Sequence, residues 1–367
     1  EIMPSLVGSE MCIRDRVYTA LYKEDIIMSE TLKILNTLTQ AISISGDEKN
    51  VGKCMAQYLE PYCDEIVYDN LGSVFGVKKS KKENAKRVLV ITHMDESGLM
   101  ITKINDNGSA EFIEIGKINK QYLPGSRLRV KTKTGEVNAF VVGTEKMVID
   151  FGTYSKEETL ALGVFVGDSA VVDGAFVKVQ KQCISKALES RVGCLMAVEL
   201  LEAVKDKEFD FDLYVGACVM EEVGQRGATT ATGLVKPDLG VVLGCKKAKT
   251  LDEKDQSVGE LGKGLLVSFY DKGMMPNRGL LDALVQICKE EDIAYQHYYS
   301  MDLNEGAWVH KLFAGCPTLN VSIAIQNAYS AIESMDLNDY DCAKKALTVF
   351  VEHLNEEKIQ EFKESNR

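Results

Sequence analysis

Two textures of apolar residues alternate along this chain, and they outline the fold before any motif is considered. Leu32, Leu35 and Leu38 fall on one face of a helix expected over residues 31–42, since three- and four-residue spacing builds a single stripe. Val51, Cys54, Met55, Tyr58 and Leu59 repeat the pattern and predict a second amphipathic helix. The segment Ser45-Gly46-Asp47-Glu48 ahead of it has the form of a capping box. After the basic stretch of residues 78–86 comes Val88-Leu89-Val90-Ile91-Thr92, a continuous apolar run of the kind found in buried parallel strands.

Between residues 101 and 183 the texture changes. Short alternating or β-branched runs are separated by Gly and Asp/Asn turns, which predicts a small β-rich domain inserted into the chain. Helix and buried strand then alternate again. Helices are expected over residues 192–204, 280–290 and 341–354, and strands over 211–219, 239–243, 265–269 and 318–324. Such alternation predicts an α/β fold, a doubly wound and mostly parallel sheet with helices on both faces. Residues 28–100 and 184–367 would form this domain, and 101–183 the insertion.

That map places chemistry at strand ends. His93 directly follows one strand, Glu221 and Glu222 follow another, Gly244 ends a third, and Tyr329 lies just past a fourth. Sites in open α/β sheets form beyond the carboxyl ends of the strands, so these distant positions can share one cleft.

Composition narrows the function classes. A formal charge of -12 argues against general nucleic-acid binding, which needs a basic face. No apolar run reaches the roughly 18 residues of a membrane span. Ten cysteines without a CxxC pair or regular spacing read as reduced thiols, with Cys54, Cys218 and Cys288 in apolar patterns, and point to a cytoplasmic location. Residues 1–27 are set apart as a non-native leader, because residues 5–16 resemble a translated sequencing adapter. The natural start is expected at Met28.

His93-x-Asp95 after a buried strand suits a metal-binding imidazole oriented by a carboxylate. In the adjacent pair Glu221-Glu222, one carboxylate suits metal binding and the other general-base chemistry. Each motif alone is weak, since strand-end histidines and paired acids are commonly structural or solvated. No separate pair of glycosidase carboxylates is evident.

The motifs gain force as an ordered array. Ser45-Gly46-Asp47-Glu48, His93-Met94-Asp95-Glu96-Ser97-Gly98, Ala187 to Gly193, Met220 to Ala228, Leu261 to Gly264 and Ala328-Tyr329-Ser330 together resemble the glutamyl aminopeptidase family. That family includes tetrahedral aminopeptidases and proteins once labelled cellulase or endoglucanase M. The resemblance runs from Met28 to the C-terminus. It implies a zinc-aminopeptidase-like α/β domain with an inserted β-barrel, two divalent ions (zinc or cobalt), and removal of N-terminal residues from peptides. It also implies homo-oligomers up to the dodecamer. By position, His93 and Glu222 would be metal ligands, Asp95 the partner of His93, and Glu221 the general base.

Three ligand positions depart from the pattern. The bridging aspartate is Glu189, whose extra methylene displaces the bridge. The next aspartate is Gly244, with Cys245 beside it expected to point elsewhere. The last histidine is Tyr329, a phenol and a poor ligand. The expectation is therefore a catalytically impaired relative, acting as a peptide binder or co-assembling with an active paralogue. The alternative is an active hydrolase with one weak ion held by His93, Glu222 and Glu189.

Overall fold

In the computed structural model, residues 28–250 and 258–365 are described; the expected leader, residues 1–27, lies outside them. Strands β1 (Glu65–Tyr68), β2 (Val74–Lys78) and β3 (Lys86–His93) begin a large sheet. The chain then leaves it for β4 (Gly98–Ile104), β5 (Ala110–Ile115), β6 (Arg127–Thr132), β7 (Gly135–Val142), β8 (Val148–Asp150) and β9 (Ser169–Val172). These six close into an antiparallel barrel in the order β4-β5-β8-β7-β6-β9. Its interior is filled by Leu99, Ile101, Leu128, Val130, Val141 and Ile149, alternate residues that the two-residue period of a strand aims inward.

The sheet resumes with β10 (Val177–Val179), β11 (Gln182–Ser185), β12 (Phe211–Cys218), β13 (Leu239–Lys247), β14 (Leu265–Tyr270), β15 (Tyr295–Tyr299), β16 (Thr318–Gln326) and β17 (Glu333–Asp336). Its order is β1-β2-β12-β3-β13-β16-β17-β11-β10, with β14 and β15 branching from β16. The central strands β12, β3, β13 and β16 are parallel. Antiparallel β2 and β17 flank them, so the whole is a mixed sheet.

Both faces are covered, as the continuous apolar runs require. On one, Val88 and Val90 pack with Val192, Leu195 and Leu200 of the helix Leu188–Ala203. On the other, Leu89 and Ile91 meet Ala228, Ala231 and Val235 of the helix Arg226–Val235. The helices expected near residues 31–42 and 51–59 are Glu30–Gln40, capped by Ser29, and Lys49–Leu59. The capping box is not formed: Glu48 stands at the N-cap without a side-chain cap, and Ser45 and Glu48 are drawn toward the cleft. Among the described residues, no helix is long and apolar enough to cross a membrane.

Candidate active-site cleft

Sheet register brings the strand ends together. His93, the last residue of β3, pairs with Cys218 at the end of β12, and Gly244 of β13 pairs with Ser322 of β16. The turns that follow deliver side chains to one cleft. Three of the delivering turns hold a non-glycine residue in the left-handed region: Ala187 (φ 58), Met220 (φ 57) and Tyr329 (φ 64). Such strain persists where surrounding contacts over-determine the backbone, and those contacts are visible here.

Asp95 is fully buried and grips the acidic turn. Its Oδ1 accepts the Glu221 N–H at 3.0 Å, and its Oδ2 accepts the Glu222 N–H at 3.0 Å and the Ser45 hydroxyl at 2.6 Å. Glu48 accepts the Met220 N–H at 2.9 Å just before. The His93 Nδ1 lies 3.1 Å from the Asp95 carbonyl oxygen and 3.8 Å from its Oδ1. On the opposite turn, Glu333 accepts the Glu189 N–H at 2.8 Å and the Tyr329 N–H at 2.7 Å. One buried carboxylate thus fixes each rim.

His93 Nε2 stands 3.4 Å from Glu189 Oε2. Zinc ligands at about 2.0–2.2 Å lie roughly 3.4 Å apart in a tetrahedral shell, so this pair matches one edge of such a site. Glu222 Oε2 instead accepts the Lys117 N–H at 3.1 Å, a contact supplied by the turn after β5 of the barrel. That approach requires glycine at 116, where φ is +81° and a Cβ would come within 2.3 Å of the Glu222 carboxylate. The Lys117 ammonium pairs with Asp302 at 2.6 Å and lies 5.7 Å from the centre of the Tyr329 ring.

Gly244 offers no side chain, and a Cβ built there would meet nothing within 4 Å. Cys245 is at the margin of both pockets, but its side chain packs with the main core and donates its thiol to the Leu188 carbonyl at 3.7 Å. Beneath Gly244 lies a cavity of about 30 Å³ whose lining includes His93, Glu189, Glu221, Lys246, Glu305 and Ser322. Glu305 is 3% exposed and its Oε1 has no hydrogen-bond partner; the Ser322 Oγ has none either. Above, an open cleft of about 310 Å³ includes Lys117, Glu189, Glu221, Glu222, Lys246 and Tyr329 in its walls.

Electrostatics follow from burying so many acids together. Burial opposes a charge on His93, but Glu189, Glu305, Glu221 and Asp95 outweigh it and raise the imidazole to about 10. Burial lifts Glu222 to about 8, helped by Glu189 and Glu221. It also lifts Glu305 to about 7 against the pull of His93, and Glu333 to about 8. The Tyr329 phenol is pushed well above its ordinary value, chiefly by burial. Glu222, Glu305 and Glu333 thus all move upward, because burial disfavours their charged forms and few cations stand close enough to offset it.

Among the described residues, no three His, Cys, Asp or Glu side chains converge on a common point. His93, Glu189, Glu221 and Gly244 line the smaller cavity, and Glu189, Glu221, Glu222 and Tyr329 line the open cleft. Glu305, Glu333, Lys117 and Lys246 were not expected. Their signal was faint: Glu305 opens the Glu305-Gly306-Ala307-Trp308-Val309 segment before His310, and Glu333 follows Tyr329 by four residues.

Residues 72–346 match the family described as M42 glutamyl aminopeptidase. The chain is 29% identical over 353 residues to the glutamyl aminopeptidase of Lactococcus lactis subsp. cremoris, covering 90% of this chain and 98% of that protein. It superposes on the TET aminopeptidase of the marine sediment archaeon Thaumarchaeota archaeon SCGC AB-539-E09 with a TM-score of 0.87 and 29% identity, covering 91% of this chain and all of that one. A third relative, the dodecameric structure PhTET1-12s, gives a TM-score of 0.81 at 25% identity over 89% of this chain and 100% of its own.

Proposed function

This chain belongs to the M42 glutamyl aminopeptidase family, and from that premise we propose that it keeps the family's peptide cleft on a site that no longer supports two-metal hydrolysis. The observation that carries this reading is the missing convergence of ligands: Gly244 contributes none, the Cys245 thiol is given to the Leu188 carbonyl, and Tyr329 places a half-buried phenol where an imidazole is expected. A catalytic zinc ion ordinarily has three protein ligands and an open position. With the two rims still fixed by Asp95 and Glu333, the cleft is suited to holding a peptide end rather than cutting it.

Homo-oligomerisation, up to the dodecamer of the solved relative, belongs to the same reading, as does co-assembly with an active paralogue. Scattered cysteines without pairing motifs support a cytoplasmic setting. Calorimetric titration of the full chain with short peptides, alongside metal analysis and light scattering, tests the proposal. Peptide binding without release of amino acids is expected, and metal-dependent release would sink it.

A second reading has one specific observation in its favour. The His93–Glu189 separation fits one edge of a single-ion shell, and Glu222 would complete it by giving up the Lys117 N–H. In that case the protein is a hydrolase with an altered one-metal site. Zinc or cobalt bound at one equivalent, and lost in Glu189→Gln, would favour it.

A further inference from the structure

Residues 116–119, between β5 and β6 of the barrel, touch three separate stretches of the sheet domain. The Lys117 N–H donates to Glu222 Oε2 at 3.1 Å on the acidic turn, and the Asn119 N–H donates to the Tyr329 carbonyl at 3.2 Å on the opposite turn. The Lys117 ammonium reaches the third stretch, where it pairs with Asp302 at 2.6 Å. The two side chains of this pair are 55% and 56% exposed, and ion pairs so exposed are weak and screened by salt. Lys117, Asp302, Glu222 and Tyr329 all line the open cleft. The one apolar side chain of the segment, Ile118, is only partly buried against the barrel core.

We propose that residues 116–119 form a gate on the cleft, latched by the Lys117–Asp302 pair, that lifts without the barrel opening and so uncovers the Glu222 carboxylate for a ligand. Three physical arguments support the assignment. The backbone lies directly on Glu222: its Oε2 accepts the Lys117 N–H, and even a methyl group on Gly116 would come within 2.3 Å of that oxygen, so no ligand group fits between them while the segment is down. Local opening is governed by the contacts that must break. Here these are two backbone hydrogen bonds and one exposed ion pair, whereas the barrel behind is six strands closed on one another. Finally, glycines bracket the segment, Gly116 with φ +81° and Gly125 with φ +77°, and small residues at such positions absorb the backbone rotation of a hinge. The gate is a property of the cleft whether the peptide held there is cut or only bound.

Amide hydrogen exchange of the full chain, resolved by mass spectrometry and corrected for intrinsic rates, tests the gate without any ligand. The Lys117 and Asn119 amides are expected to exchange at least about 10-fold faster than those of β4 and β6, and faster again as salt rises from about 0.05 to 0.5 M, because the latch is screened. Asp302→Asn and Lys117→Met should each speed exchange at these two amides by about 2–5-fold, the strength of an exposed pair, remove the salt effect and leave β4 and β6 unchanged. The double variant should do no more than either single one, since both break the same pair. Carbodiimide coupling of an amine to Glu222 should rise by the same about 2–5-fold in Asp302→Asn, with exposed Glu157 as the unchanged reference. The proposal is overturned if the two amides exchange together with β4 and β6, if breaking the pair leaves them or their salt dependence as before, or if Glu222 is labelled no faster. Metal-dependent release of amino acids would remove the reading of a non-cutting cleft and leave the gate standing.

Discussion

Glu96→Gln should destabilise the protein by about 3–5 kcal/mol, the cost of stranding a buried charge. The Glu96 carboxylate accepts the Lys186 ammonium at 2.8 and 2.7 Å, Arg191 Nη2 at 3.1 Å, and the Ser43 N–H at 3.3 Å. Both cations are fully buried. Arg191 has fallback acceptors, the Leu38 carbonyl at 3.0 Å and the Ser190 hydroxyl at 2.8 Å. The Lys186 ammonium has no other acceptor among the described residues, and burial already lowers its hold on the proton. A glutamine leaves one oxygen and removes the counter-charge, so most of the loss falls on Lys186. Lys186→Met alone should cost less, about 1–3 kcal/mol, because Glu96 keeps Arg191. The double variant should cost less than the sum by about 1–3 kcal/mol. Urea unfolding followed by circular dichroism reads these values; with a slope of about 3 kcal/mol/M, Glu96→Gln should lower the midpoint by about 1 M or more. A loss under about 1 kcal/mol, or strict additivity in the double variant, would refute the argument.

Asp95→Asn turns one of two accepting oxygens into a donor facing the Ser45 hydroxyl or the Glu221 and Glu222 N–H groups. It should cost about 2–4 kcal/mol and speed amide exchange at Glu221 and Glu222; unchanged exchange would contradict the assigned grip. Gly193→Ala should cost about 1–3 kcal/mol by overpacking, since its Cβ would come within 2.1 Å of the Thr92 hydroxyl; denaturation showing no loss would count against the close helix–sheet contact. Asp339 accepts the Gly262 and Gly264 N–H groups, yet burial raises it from 3.8 to about 6. The folded state therefore binds more protons than the unfolded one in that window, and its contribution, complete below about pH 4, is lost as pH rises to 6. Melting curves across that window should show the loss, and Asp339→Asn should flatten it; a slope unchanged in the variant would contradict the assignment.

The strands were legible because buried parallel strands read as apolar runs. Val88 to Thr92 needed only extension to Lys86–His93, and residues 318–324 to Thr318–Gln326. The helix expected from residue 192 begins at Leu188 instead. Leu188 and every residue from Ser190 to Leu201 are buried, so no polar face marks where it starts. Ser45 and Glu48 carried the local signature of a cap, but their partners Asp95 and Met220 lie far along the chain, and those tertiary hydrogen bonds prevailed. His93, Glu221 and Glu222 could be placed because each follows a readable strand. Glu305 could not: it sits in an irregular turn after β15, with no period to aim it, and reaches the pocket below Gly244 only through the tertiary fold.

Metal stoichiometry of the full chain, measured by elemental analysis after purification without chelators and paired with a peptide panel supplemented with zinc, cobalt or manganese, tests the central claim most directly. The account predicts no tightly retained pair of ions and no release of N-terminal residues. Two ions per chain, with hydrolysis abolished by Glu221→Gln, would contradict it.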